Sequence, residues 1–222
     1  MIARNDANRP TAPRLVCIDP GSTASGVVVY DGEIPSGPVV YAAKVPNEAL
    51  LAMLRVRELA AVEAYPVAYL TGPHVMVVEM MRARGMPMSN DELRTLLWLG
   101  RFIEAWGGPW DEVWRSDVKM HVCGRVAAND ANIRAALIDK HGGKAVALAY
   151  RRKCETCKGA GTFGVGRGSR RTTHDCHACG KTGMVGSDGP LYGVRADAWS
   201  ALALGITYTE RGGSRAKEAT NG

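Results

Sequence analysis

The 222-residue sequence predicts an α/β fold, a mixed central sheet flanked by helices, with a small metal-binding module inserted late in the chain. Three observations predict it. Apolar, β-rich runs open the chain as a hairpin-like pair and recur at 74–79. Segments with helical spacing of apolar residues alternate with those runs. Two Cys-x-x-Cys pairs then break the alternation between Cys154 and Cys179. The length suits one domain carrying an elaboration.

Met1 to Pro13 is polar and reads as a loose tail without the apolar core of a signal peptide. Leu15–Ile18 and Gly26–Tyr30 are the paired strands, broken by Pro20-Gly21-Ser22, and Asp19 stands where the first strand ends. Asp before Pro-Gly is ordinary turn chemistry. A carboxylate there is also well placed to hold a cation at the rim of a sheet. Asp31–Pro38 is a turn, and Val39–Ala43 a third strand of an antiparallel meander. Leu50, Leu51, Leu54, Leu59 and Val62 predict a helix over 47–64, and 65–72 is a link containing Pro66.

His74–Glu79 is apolar almost throughout, as a strand covered on both faces should be, and it too ends in an acid, Glu79. Carboxylates brought to one end of a sheet repel unless a cation lies between them. Met80–Met88 is a loop with Arg82 and Arg84, read equally as a Met-filled flap or a substrate-contacting loop. Ser89-Asn90-Asp91-Glu92 is a capping-box pattern opening a helix to Trp106, with Leu93, Leu96, Leu97, Gly100 and Ile103 on one face. Gly100 costs about 1 kcal/mol there relative to Ala, which implies close approach by another backbone, within the fold or across a dimer. Glu112–Arg115 is a short last strand. Asn129 caps an Ala-rich helix ending at Lys140, before Gly142-Gly143. Lys119, before that helix, can contact a phosphate or simply be solvated.

No apolar run approaches the roughly 18 residues of a membrane span, so an intracellular, cytoplasmic location is expected, and reduced cysteines with it. Charge is concentrated. Between Arg151 and Gly183 eight basic residues (Arg151, Arg152, Lys153, Lys158, Arg167, Arg170, Arg171, Lys181) face two acids, and that surplus of six equals the net charge of the whole chain. A basic patch on a neutral body suits a polyanionic partner or a solvated loop.

Cys154, Cys157, Cys176 and Cys179 form two knuckles eighteen residues apart, a strong Zn²⁺ signature whose four thiolates complete a tetrahedron. A closed four-sulfur site has no open position for water, so its expected role is structural. His174 and His177 are alternative ligands or simply exposed. Cys17 and Cys123 read as small core or near-surface residues. The first knuckle, Cys-Glu-Thr-Cys-Lys-Gly-Ala-Gly, resembles the repeats of DnaJ-type zinc domains, from which the second, Cys-His-Ala-Cys-Gly-Lys-Thr-Gly, departs; the resemblance implies a zinc-held hairpin and does not extend to chaperone function.

Leu191–Thr209 is a helix rich in small residues, with Asp197 in its first turn. With that third acid the chain resembles the RuvC family of Holliday-junction resolvases, on the ribonuclease H-like fold. Ile18–Gly26 (Ile-Asp-Pro-Gly-Ser-Thr-Ala-Ser-Gly) is similar to that family's first-strand motif. Val77-Val78-Glu79 carries the second acid, Asp117-Val118-Lys119 with Gly124 and Ala127-Ala128 the segment before the penultimate helix, and Ala196–Leu204 the terminal acidic helix. The resemblance covers about 14–145 and 190–210. It implies a homodimer that cuts branched DNA such as four-way junctions by two-metal hydrolysis, with Mg²⁺ (or Mn²⁺) held by Asp19, Glu79 and Asp197. Asp19 would bridge both ions. Arg82, Arg84, Lys119, Arg151, Arg152, Lys153, Arg167, Arg170 and Arg171 would contact DNA. The inserted module implies a phage-type member acting in the host cytoplasm.

Departures from the family pattern are specific. A second metal-binding residue is expected three positions from Asp197, where Val194 and Ser200 stand. Asp130 replaces a basic residue at the start of the penultimate helix, and Arg82 stands where a base-stacking aromatic is expected. The basic insertion is expected to compensate. The expected organisation is a tail over 1–13, a nuclease domain over 14–150 and 186–210, the zinc module over 151–185 and a second tail over 211–222. Two other readings are carried beside the nuclease: a non-catalytic branched-DNA-binding protein on the same fold, and a sugar-kinase or actin-like ATPase. The latter shares an Asp-x-Gly-Ser turn but needs a second phosphate turn that Gly142-Gly143 supplies poorly.

Overall fold

The computed structural model describes residues 14–31, 39–59, 68–70, 74–82, 85, 87–150, 152–165, 172–186 and 188–212. The expected hairpin is β1 (Arg14–Asp19) with β2 (Ala24–Tyr30), Asp19 lying opposite Gly26, and β3 (Val39–Pro46) extends it antiparallel. Next, α1 (Asn47–Val56) is shorter than its apolar spacing predicts. Arg57 ends it in the left-handed conformation (φ 58°), because its guanidinium lies 3.7 Å over the Trp106 ring and donates to the Trp106 carbonyl. The chain leaves as β4 (Glu58–Leu59), which pairs antiparallel with β5 (Ala68–Tyr69). The remainder of the predicted helix, and much of the predicted link, lies outside the described residues.

The apolar run at 74–79 forms β6 (His74–Met80), parallel to β1 on one side and to β7 (Trp110–Trp114) on the other. Its burial on both faces explains its composition. The sheet order is β3-β2-β1-β6-β7, the mixed, helix-flanked sheet expected of a ribonuclease H-like fold. Because β1, β6 and β7 are parallel, their carboxyl ends share one edge, the edge where open α/β sheets carry their ligands.

Between β6 and β7, α2 (Asn90–Trp106) carries the predicted capping box: the Glu92 N–H donates to Ser89 Oγ (3.2 Å), and the Ser89 N–H to Glu92 Oε2 (2.7 Å). Its buried stripe is Thr95, Leu99, Phe102 and Trp106, whereas Leu93 and Leu97, expected to share an inward face, are 52% and 64% exposed. The larger rings at 102 and 106 win the core. A Cβ at Gly100 would meet nothing within 4 Å, so among the described residues no other element's backbone approaches it.

The last strand ends one residue earlier than predicted, and Arg115 opens an unpredicted helix, α3 (Arg115–Cys123). Only Val118 of α3 is buried, so it carries little periodic signal. The predicted Asn129 cap opens α4 (Asp130–Lys140), followed by the short α5 (Lys144–Ala147). The last helix, α6 (Ala198–Glu210), begins later than predicted; 191–196 is a turn in which Ala196 adopts φ 46°. Residues 198–207 of α6 are buried all round, as suits a helix laid on a sheet with α3 and α4 against it. The other side of the sheet is covered by α1, which packs on α2. No helix among the described residues is long and apolar enough to cross a membrane.

The insertion is built on two short ladders. β8 (Arg152–Lys153) pairs with β11 (Met184–Val185), and β9 (Thr162–Val165) with β10 (Thr172–Asp175).

Candidate metal centre and nucleic-acid face

One row across the sheet assembles the first site. Lys44 lies opposite Gly26, and Gly26 opposite Asp19; the parallel register that pairs Ile18 with Val78 brings Glu79 level with Asp19 on β6. Residues in register on adjacent strands point to one face, the face on which α6 lies over Cys17 and Tyr30 at Gly205. The α6 N-terminus comes down on this row at Gly26. A Cβ there would stand 2.3 Å from the Asp197 carbonyl oxygen, so only glycine admits this approach. Asp19 and Glu79 therefore stand level at the carboxyl edge of the sheet, and the N-terminus of α6 brings Asp197, 178 positions from Asp19, onto the same row.

The motif after Asp19 is equally constrained. Asn47, buried at the start of α1, accepts from Ser25 Oγ (2.7 Å) and donates to the Gly21 carbonyl (2.9 Å), while the Gly21 N–H reaches Ser25 Oγ (3.3 Å). A Cβ at Gly21 would collide with the Ala24 carbonyl at 2.3 Å. The turn that carries Asp19 is thus clamped from both strands and from α1.

The electrostatics are those of a crowded acid site. Burial, then the neighbouring Glu79, pushes the Asp19 carboxyl well above the usual range, with Asp197 adding to the rise and Arg115 opposing it. Burial raises Glu79 as well, against the pull of Arg115 and Lys119. Resident cations answer this charge. Arg115 Nη1 lies 2.7 Å from Glu79 Oε2 and 3.7 Å from Asp19 Oδ1, its Nη2 lies 3.3 Å from Asp130 Oδ1, and Lys44 Nζ lies 2.7 Å from Asp197 Oδ2. Held on Lys44, Asp197 does not close on the other two. Among the described residues, the cysteines alone form a group of three or more possible ligands with all donor atoms within 4.8 Å of one another.

Val194, apolar and buried, does not supply the fourth ligand that the sequence pattern lacks, and Ser200 is a buried neutral hydroxyl. Asp130 instead lines the same recess, about 450 Å³, as Asp197, Arg134, Arg195, Trp199 and Ser200. Lys119 acts on the field at Glu79, and the Arg82 guanidinium lies 4.7 Å over the Trp114 ring. An aromatic is therefore present beside the loop after Glu79, supplied by β7. Arg152 and Lys153 are exposed on β8. Arg84, Arg151, Arg167, Arg170 and Arg171 lie outside the described residues. Sequence reasoning missed Arg115, Lys44 and Asn47. Arg115 had a signal, standing directly after a strand of the parallel set; a lone Lys on an edge strand had none.

The second site is the predicted cysteine cluster. Cys154 and Cys176 sulfurs are 3.7 Å apart, as are those of Cys157 and Cys179. A tetrahedron with Zn–S bonds of about 2.3 Å has edges of about 3.8 Å, so this spacing fits Zn²⁺. The knuckles repeat one geometry: the Gly161 N–H donates to Cys157 Sγ and the Gly183 N–H to Cys179 Sγ, each at 3.3 Å. Hydrogen bonds led by the Cys157 backbone bring the Cys154 thiol down to about 6, toward the thiolate a metal needs, whereas burial pushes the neighbouring Cys176 thiol up to about 12. His174 and His177 are exposed and Cys17 is buried in the core.

No protein-family model matches this chain, and no curated protein matches it. Among solved structures it is similar to "T. thermophilus RuvC in complex with Holliday junction substrate", at 15% identity and TM-score 0.47, covering 90% of this chain and 95% of that one. It is likewise similar to "Thermus thermophilus RuvC structure", at 15% identity and TM-score 0.47, covering 91% of this chain and 99% of the other.

Proposed function

We propose that the chain is a divalent-metal-dependent endonuclease of branched DNA, with four-way junctions as substrate and Mg²⁺ as metal. The single observation that carries this reading is the row that brings Asp19, Glu79 and the Asp197 end of α6 to one sheet edge, past a glycine that admits no side chain. The donor set fits the metal. Hard carboxylate oxygens suit Mg²⁺ or Mn²⁺, and buried acids with raised proton affinity are relieved by a divalent charge. Asp19, Glu79 and Asp197 would be the carboxylates that hold the divalent cations, with Asp19 shared between them.

Two divalent cations in such a site supply positive charge for a phosphodiester's attacking and leaving oxygens during in-line hydrolysis. The chain's own groups do the rest. Asn47 and Ser25 fix the turn that aims Asp19, and Gly26 sets the approach of Asp197. Arg82, Lys119, Arg152 and Lys153, with Arg84, Arg151, Arg167, Arg170 and Arg171, hold the phosphate backbone without reading sequence. One structural Zn²⁺ on Cys154, Cys157, Cys176 and Cys179 keeps the basic insertion folded. The chain acts as a homodimer of the cytoplasm, the host's if phage-encoded. The exposed Leu93 and Leu97 with the open Gly100 form the α2 face for the second copy.

The pairing of Asp197 with Lys44 favours a second reading, a junction-binding chain without catalysis. Incubation with a synthetic four-way junction and with linear duplex in Mg²⁺ separates the two. Paired symmetric nicks in the junction, lost in Asp19→Asn, support the nuclease; tight junction binding without nicks in Mg²⁺ or Mn²⁺ supports the alternative.

A further inference from the structure

We infer that Arg115 is a resident counter-ion of the metal-free centre, and that its displacement couples metal uptake to DNA binding. The inference rests on the metal-centre reading above and deepens it.

Arg115 is the first residue after β7, so the parallel register places it at the edge where β1 and β6 end. A single guanidinium serves three acids. It meets Glu79 at 2.7 Å and Asp19 at 3.7 Å through Nη1, and Asp130 at 3.3 Å through Nη2. The carboxylates at Asp19 and Glu79 are 11% and 3% exposed, whereas Asp130 is 72% exposed. One arm of the fork therefore lies in the buried acid pair and the other points toward solvent.

A divalent ion entering between Asp19 and Glu79 needs the oxygens that Nη1 now holds, and like charges at contact distance repel. Metal uptake must therefore lift Nη1 away. The Asp130 contact gives the side chain a second anchor on which to turn outward. There a phosphodiester presents the acceptor pair that a guanidinium fork matches. A bound phosphate draws Arg115 off the acids, and a bound metal drives it toward the phosphate. Both ligands favour the same displaced arrangement, so each raises the affinity of the other by the same factor. In consequence the centre holds metal more weakly until DNA is in place. The Lys44–Asp197 pair is a weaker version, with both partners about half exposed, and exposed pairs hold loosely.

The test measures binding and needs no cleavage. Ca²⁺, a hard oxygen-seeking ion, is titrated calorimetrically into the full-length chain with and without a four-way junction, for the wild type, Arg115→Gln, Arg115→Lys and Lys44→Met. In the wild type the junction is expected to tighten Ca²⁺ binding about tenfold, within the usual range of coupling between sites. Arg115→Gln is expected to bind Ca²⁺ about tenfold more tightly without DNA and to lose most of the coupling. Arg115→Lys, which cannot span Glu79 and Asp130 together, falls between them, and it carries the comparison alone if Arg115→Gln does not fold. Lys44→Met changes Ca²⁺ affinity by less than about threefold. Wild-type Ca²⁺ affinity in the Arg115 variants, with coupling intact, overturns this inference and leaves the metal centre standing. Failure of the wild type to take up Ca²⁺ with or without DNA overturns the metal centre, and this inference with it.

Discussion

Replacing Gly26 by Ala tests how the third acid is held. The added Cβ would fall 2.3 Å from the Asp197 carbonyl oxygen, 2.6 Å from its carbon and 3.1 Å from the Ala198 nitrogen, where ordinary contact begins at 3.4 Å. The obstacle is backbone at the head of a helix buried over ten consecutive residues, so no side chain can swing aside. Either α6 lifts by about 1 Å at its N-terminus or β2 bends away by as much. Overpacking of this kind costs about 1–3 kcal/mol, which for a domain of this size lowers Tm by roughly 2–12 °C. A 1 Å displacement of a site residue costs on the order of 100-fold in rate. The assay pairs thermal unfolding with single-turnover junction cleavage in Mg²⁺. A modest loss of stability is expected beside a loss of about two orders of magnitude in rate. A Gly26→Ala protein with wild-type Tm and wild-type cleavage refutes this expectation, because Asp197 would then not depend on this approach.

Asp19→Asn is expected to abolish cleavage while raising the Tm of the metal-free chain by roughly 2–8 °C, since it removes a buried charge (about 1–2 kcal/mol); a lower Tm contradicts the burial argument. The pH dependence has a definite sign. Above about pH 4 the folded chain holds protons at Asp19 and Glu79 that the unfolded chain has lost, so metal-free stability falls as pH rises until those raised values are passed. Stabilisation by Mg²⁺ therefore grows with pH over the same window, measured as Tm with and without metal. Deleting 151–185 is expected to weaken junction binding and to flatten its salt dependence by several units of slope, given eight basic residues and about 0.9 per phosphate contact; unchanged affinity rules out a DNA-binding role for the module. Leu97→Glu, at a position 64% exposed, leaves Tm within about 0.5 kcal/mol equivalent but shifts sedimentation from dimer to monomer. A dimer that persists removes α2 from the interface.

Much of the sheet was legible because its strands announce themselves. The hairpin is marked by Pro20-Gly21, and β6 by a run too apolar for an exposed strand. The α2 and α4 starts were legible because capping is local chemistry. The four cysteines, which cluster in the fold, were legible from their spacing. Local pattern failed where tertiary contacts decide. The end of α1 is set by Arg57 reaching Trp106, forty-nine positions away, and no spacing rule sees that. The inward face of α2 was misjudged because two apolar faces compete and the larger rings take the core. Lys44 was invisible as a partner of the acids, and Arg115 was marked only by its place after a parallel strand, because ion pairs follow from register. The same register explains the glycines: Gly26 reads as a strand glycine until α6 is laid across it.

The central claim, that Asp19, Glu79 and Asp197 form a divalent-metal site, is tested most directly by crystals grown with Mn²⁺ and located by anomalous scattering. The account predicts manganese between the Asp19 and Glu79 carboxylates, with Asp197 turned off Lys44 toward it and Arg115 withdrawn. Saturating Mn²⁺ that leaves Arg115 on Glu79, with no manganese at that edge of the sheet, contradicts it.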